Sequence, residues 1–179
     1  MSVFKNKWET ARCLVLEAQE RDLGTMTSVF ADNVDAIRSQ GADRQPERLA
    51  SILLRHESLP PDGNPSQEQT SLIADKASNQ TIGLLSFYRG YPTSKTLYIG
   101  SLFFRRDWQG RGLGREVTEE LERRALQEGY EVAKVAVGLK NWPALRFWIA
   151  LGFNRIAGIT GDKESAEATY ADIELTKNL

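Results

Sequence analysis

Residues 109–114, QGRGLG, lie between a segment with strand character ending near Arg105 and one with helix character starting near Gly112. Glycine there lets the backbone approach a ligand closely, and the free N–H groups of a first helical turn point toward it. The partial positive charge of a helix N-terminus selects an anion, most often a phosphate. Arg105, Arg106, Arg111 and Arg115 crowd the same place, with only Asp107 against them. Cations oppose the helix dipole in a first turn, so the crowding predicts a neutralising anion. The plainer reading is a tight turn with solvated arginines. No GxxxxGK[ST] loop is present. The dinucleotide fingerprint GxGxxG fails too, because its third glycine position holds Arg115 counted from Gly110 and Val117 counted from Gly112.

The elements that would position this turn can be read from periodicity. Residues 12–19 predict a first strand. Asp22 predicts the cap of a helix along which Leu23, Met26, Val29, Phe30, Val34 and Ile37 recur at three-to-four spacing. Gly41 ends it. Pro46 opens a second helix with Leu49, Ile52, Leu53 and His56 on one face. Residues 58–69 hold three of the six prolines and predict a surface loop. Strands follow over 70–76, 81–89 and 96–105. The helix after the glycine turn carries Leu113, Val117, Leu121 and Leu126 on one face and stops at Gly129. A strand over 131–139 comes next, then a helix over 142–151 with Asn141 as its cap and Gly152 at its end. Strands over 154–160 and 168–176 close the chain. The order predicts an α+β protein, one domain over 1–179, with a central mixed, mostly antiparallel sheet of about seven strands. Only the crossover over 96–139 would be parallel.

Composition narrows the function. The 179 residues carry 23 Lys+Arg and 24 Asp+Glu, a net charge of −1. That balance argues against a nucleic-acid partner bound through bulk basic charge, and against a polybasic membrane-surface protein. The sum hides +3 over residues 105–115 and −4 elsewhere. The single cysteine, Cys13, leaves no intrachain disulfide or CxxC pair. The single histidine, His56, leaves metal clusters and a Ser-His-Asp triad short of material. No stretch approaches the length of a membrane span, and the first residues lack a secretory pattern. A soluble cytoplasmic protein without a metal is expected.

Gln109, Gly112 and Gly114 after a strand resemble motif A of the GCN5-related N-acetyltransferases (GNAT), Gln/Arg-x-x-Gly-x-Gly/Ala. Asn141, Ala144, Phe147, Trp148, Leu151, Gly152 and Phe153 resemble the same family's Asn-x-x-Ala-x-x-Phe/Leu-Tyr-x-x-x-Gly-Phe segment, at the family's spacing. The resemblance covers essentially the whole chain. It implies a GNAT-like fold with helices on both faces of the sheet and a splayed strand pair. It also implies acyl transfer, usually of acetyl, from acetyl-CoA to an amine. Residues implied to bind coenzyme A are Leu102, Phe103 and Phe104 on the strand, then Gln109, Gly110, Arg111, Gly112, Leu113, Gly114 and Arg115 around the pyrophosphate. Asn141, Phe147 and Trp148 complete them beside the pantetheine arm.

Catalytic residues are less defined. Trp148 stands where many relatives place a Tyr thought to protonate the leaving thiolate, and an indole N–H is no general acid near neutral pH. Thiolate, with a thiol pKa of about 8.5, is already a tolerable leaving group. The strand position that holds a glutamate base in some relatives is Tyr98 here, a phenol and a poor base. His56 and Glu57 are further candidates, and the backbone N–H of Phe104 would meet the oxyanion. The expected partner is an amine: a small molecule, a peptide or protein N-terminus, or a lysine. A homodimer is the default assembly. Two other readings stand beside this one, an acyl-CoA-binding sensor of weak or no activity on the same fold, and a phosphate-ligand domain unrelated to coenzyme A.

Overall fold

Strand β4 (Thr81–Arg89) buries every residue from 82 to 88, so both of its faces must be covered. The computed structural model describes residue 4, residues 6–39, residue 41 and residues 45–179. Within them β4 lies near the middle of one eight-stranded sheet, ordered β1-β2-β3-β4-β5-β6-β8-β7. The other strands are β1 (Lys7–Glu9), β2 (Cys13–Glu17), β3 (Glu68–Asp75), β5 (Thr96–Phe104), β6 (Val132–Gly138), β7 (Arg155–Gly161) and β8 (Ala171–Asn178). Helices α1 (Leu23–Ala31), α2 (Val34–Arg38) and α3 (Pro46–Leu54) cover one face. Helices α4 (Leu113–Gln127) and α5 (Trp142–Ala150) cover the other.

Two apolar cores follow from this layering. Ile73, Ile82, Leu85, Leu97 and Ile99 meet Val117 and Leu121 of α4. On the opposite face Leu72 and Leu84 meet Met26, Val29 and Phe30 of α1, Ile37 of α2 and Ala50 of α3. The three-to-four spacing of these helical residues turns each set toward the sheet.

The α+β class, the mixed sheet and the cover on both faces agree with the sequence reading, with three differences. Strand β1 is an eighth strand, three residues long and paired with β2. Its length leaves no room for a readable alternation. Strand β3 starts at Glu68, inside the expected loop. The expected single helix after Asp22 breaks between α1 and α2. There the Asn33 amide donates to the Val29 carbonyl at 2.8 Å and to the Phe104 carbonyl at 3.0 Å. A side chain that binds backbone locally competes with the helix ladder.

The only parallel pair among the described residues is β5 with β6, joined through α4. It runs from Thr96 opposite Val132 to Ile99 opposite Val135 and then stops. Beyond that point β5 stays on β4 and β6 stays on β8. The two strands splay, and their facing edges lose each other as hydrogen-bond partners. At the fork β5 bulges: Phe87 pairs with Ile99 and Ser86 with Ser101, so Gly100 is the extra residue.

Candidate functional site

Backbone direction comes first. The Arg105 N–H reaches the Ile82 carbonyl of β4 at 2.7 Å. Antiparallel pairs alternate between bonded and non-bonded, so Phe104, opposite Gly83, and Leu102, opposite Leu85, turn their N–H groups away from β4. Away from β4 is the opening left by β6. Phe103 instead sends its ring under α1, edge-on to Phe30 at 5.3 Å. Asn141 borders the opening from the α5 side and is 7% exposed. Its Oδ1 caps α5 by accepting from the Ala144 N–H at 3.2 Å. Its NH₂ has no partner among the described residues.

The glycine turn follows directly. Gly110 and Gly112 have φ of 71° and 77°, left-handed values that favour glycine. None of the six consecutive N–H groups of residues 110–115 finds a backbone carbonyl among the described residues; the first to do so is Glu116, on Gly112 at 3.1 Å. A row of unbonded donors at the start of a fifteen-residue helix is a cradle for an anion. Gly114 is small for another reason: a Cβ there would stand 3.1 Å from the Phe147 ring, so it lets α4 and α5 approach.

Two expectations at this turn change. Gln109 holds the turn rather than waiting for a ligand, its amide donating to Asn33 Oδ1 and to the Phe104 carbonyl, both at 2.9 Å. The arginines are also engaged by the protein. Arg105 pairs with Asp32 at 3.3 Å, Arg106 with Asp35 at 3.2 Å and Arg115 with Glu119 at 3.3 Å. Arg111 stacks on Trp108 with 4.9 Å from its guanidinium carbon to the ring centre. Counting charge along residues 105–115 overlooks carboxylates supplied by the C-cap of α1, by α2 and by the second turn of α4. Glu116, in the first turn, accepts from the Thr10 hydroxyl, the Arg12 N–H and the Arg12 guanidinium. Burial pushes its carboxyl up, but these bonds outweigh burial and hold it below the usual range.

A cavity of about 400 Å³ runs from the fork of β5 and β6 to the inner side of α3. Leu102, Phe103, Asn141 and Trp148 line one end. Leu49, Ile52, Leu53, Leu59 and Pro60 line the other, with Tyr88, Tyr91 and Tyr98 between. Trp148 is buried, packed edge-on against Phe147 at 4.9 Å and Phe153 at 5.1 Å. Burial above all, then the charges of Glu174 and Asp172 and the nearby Tyr91, push the Tyr98 phenol up to about 12. At neutral pH Tyr98 therefore keeps its proton, as a hydrogen-bond donor and not a base.

Glu68, which sequence reading leaves inside a loop, faces this cavity. Its side chain is 9% exposed, and Oε2 lies 2.8 Å from His56 Nδ1. Burial pushes its carboxyl up, opposed by the His56 bond. Glu57, the carboxylate that the sequence offers as a candidate base, is exposed and lines no part of the cavity. Ser86 is likewise not singled out by the sequence, although the segments 58–69 and 86–92 that hold these two residues are legible as possible borders of an acceptor site. Ser86 is 2% exposed and lines the cavity, and its hydroxyl has no partner among the described residues. Neither residue belongs to a short motif; strand register alone places them.

A splayed strand pair, a left-handed glycine turn and an amide-capped α5 are features of one family. The acetyltransferase (GNAT) family profile matches residues 41–153, and the chain belongs to this family. Among solved structures it resembles an acetyltransferase from Thermus thermophilus at 20% identity and a TM-score of 0.67, covering 96% of this chain and 100% of that one. A GCN5-related N-acetyltransferase from Kribbella flavida gives 22% identity and a TM-score of 0.65, with 93% and 98% covered. Ribosomal-protein-S5-alanine acetyltransferase from Vibrio fischeri gives 17% and 0.68, with 97% of each chain covered. These likenesses establish the fold. No curated protein matches the sequence. Among the described residues no helix is long and apolar enough to cross a membrane, and no three His, Cys, Asp or Glu group as metal ligands.

Proposed function

We propose that residues 1–179 act as one cytoplasmic domain that transfers the acetyl group of acetyl-CoA to a primary amine, by direct attack in a ternary complex. One observation carries this reading: the six unbonded N–H groups of residues 110–115 continue the unbonded edge of β5. Together they match a ligand that is a phosphate at one end and an extended amide-bearing arm at the other. Acetyl-CoA, when bound, supplies an activated thioester.

The residues divide the work. Gly110, Arg111, Gly112, Leu113, Gly114 and Arg115 offer backbone donors to the pyrophosphate. Leu102 and the free amide of Asn141 meet the arm, with Phe147 and Trp148 as its wall. The Phe104 N–H faces the carbonyl oxygen as charge develops there. Gln109 positions this donor, because it holds the Phe104 carbonyl. The ammonium of the acceptor must lose a proton before attack. Glu68 takes it by way of water, since two strand spacings of about 4.8 Å each separate β3 from β5. Tyr98 donates a hydrogen bond within the site.

Trp148 favours a second reading, an acyl-CoA-binding sensor, since it puts no phenol beside the leaving sulfur. Calorimetric titration with acetyl-CoA and thiol release over a broad amine panel separate the two. Binding with release supports transfer, binding without release supports the sensor, and no binding at high micromolar acetyl-CoA removes both.

A further inference from the structure

The cavity is uneven in charge. Among the described residues that line it, only Glu68 and Asp172 are ionisable to a full charge near neutrality, and both are carboxylates. No lysine or arginine is among those lining residues. The nearest buried cation, Lys134, is paired with Glu174 at 3.0 Å and lies outside the lining. A carboxylate entering this space would find only neutral hydroxyl and amide donors and no cation, and would meet like charge. An ammonium would meet the opposite.

The polar groups are also placed. Glu68 stands opposite Tyr88 in the β3–β4 register, and Ser86 lies two residues along the same face of β4. The Ser86 hydroxyl stands 3.1 Å from where a side chain on Gly100 would begin, so the bulge glycine leaves it uncovered. Glu68 offers Oε1, which makes no hydrogen bond among the described residues, while His56 holds Oε2. From the ammonium position onward the wall turns apolar, formed by Leu49, Ile52, Leu53, Leu59 and Pro60. The volume of about 400 Å³ must also admit the acyl end of the donor. Little remains for a polypeptide.

We infer that the acceptor is a small primary amine with an apolar body and no carboxylate, its ammonium received by Ser86 and, through water, by Glu68, and its body by the α3 wall. This rests on the proposed acetyl transfer and names its substrate class. Free amino acids are disfavoured by their carboxylate and peptide N-termini by their length.

The test uses the full chain and matched pairs of amines. 2-Phenylethylamine is set against phenylalanine, hexylamine against 6-aminohexanoate, and phenylalanine amide against the amide of phenylalanyl-glycyl-glycine. In the first two pairs the expected kcat/KM ratio is at least about tenfold in favour of the amine without a carboxylate. In the third the short amide is favoured. Glu68→Gln is expected to lower kcat/KM for the amine by at least about tenfold and to leave the acetyl-CoA affinity unchanged, a split that general structural damage would not produce. Equal use within a pair, a preference for the acids, or the tripeptide amide as best substrate overturns the inference. If no amine releases thiol, the transfer reading fails. Calorimetric binding of the same compounds to the protein saturated with coenzyme A then decides the pocket. The same order of affinity supports the inference, and equal affinity or no binding overturns it.

Discussion

The proposed site is built by two different means. At the fork of β5 and β6 the donors are main-chain N–H groups, placed by a bulge, two left-handed glycines and a helix start. Under α1 and α3 the contacts are side chains: Glu68, Ser86, three tyrosines and a set of aliphatic residues. A backbone site depends on conformation and tolerates change in most of its side chains. A side-chain site can be re-specified one residue at a time. The first end suits a shared co-substrate and the second an acceptor particular to this chain.

The largest effect should come from the frame behind the backbone site. Leu121 is fully buried between α4 and the sheet, and Leu121→Ala is expected to cost about 2–5 kcal/mol in chemical denaturation. A loss under about 1 kcal/mol would mean that α4 is not anchored as described. Next is Gly112→Val, which forces a β-branched residue into φ of 77° and redirects the donors. Acetyl-CoA affinity should fall by at least about tenfold, or about 1.4 kcal/mol, in calorimetry, with circular dichroism retained. Unchanged affinity would break the contrast, because side chains would then carry this end too.

A smaller effect is expected at the clasp between the β1–β2 turn and α4. Glu116→Ala removes the shared acceptor of the Thr10 hydroxyl and the exposed Arg12 N–H and should cost about 0.5–1 kcal/mol. The wild-type contribution is present above the ordinary carboxylate pKa of about 4.3 and is lost as pH falls through the lowered folded value. A wild-type advantage undiminished at about pH 3 would contradict this.

The smallest effect belongs to Glu68, whose folded pKa is raised. Such a group binds its proton more tightly in the folded state. Wild-type stability should therefore fall, relative to Glu68→Gln, as pH rises from about 4.3 toward the raised value. The difference in Tm should grow by no more than about 2–4 °C across that window. A flat difference would place Glu68 in open water rather than in the cavity wall.

The same contrast explains what is legible in the sequence. The backbone end is local in sequence: its glycines are adjacent and Asn141 caps the helix that follows it. Such features survive in a one-dimensional reading. The acceptor end joins β3, β4, β8, α3 and the segment near Pro60, and needs strand register, which alternation does not specify. Glu68 hides among prolines for that reason. The arginines mislead in the opposite direction. Their neighbours in the chain are few and basic, while Asp32, Asp35 and Glu119 approach from elsewhere in space. The helix break at Asn33 is invisible in the sequence because its cause is a carbonyl at the far end of β5.

That buried asparagine joins the two ends. Its amide group holds Val29 of α1, the carbonyl of Phe104 and the side chain of Gln109 at once. The roof of the proposed acceptor pocket and the glycine turn thus share a single node. Thermodynamic linkage gives this a definite form: whatever factor acetyl-CoA adds to amine affinity, the amine must add to acetyl-CoA affinity. Asn33→Ala would be the place to watch that factor shrink toward one, leaving two half-sites that fill independently.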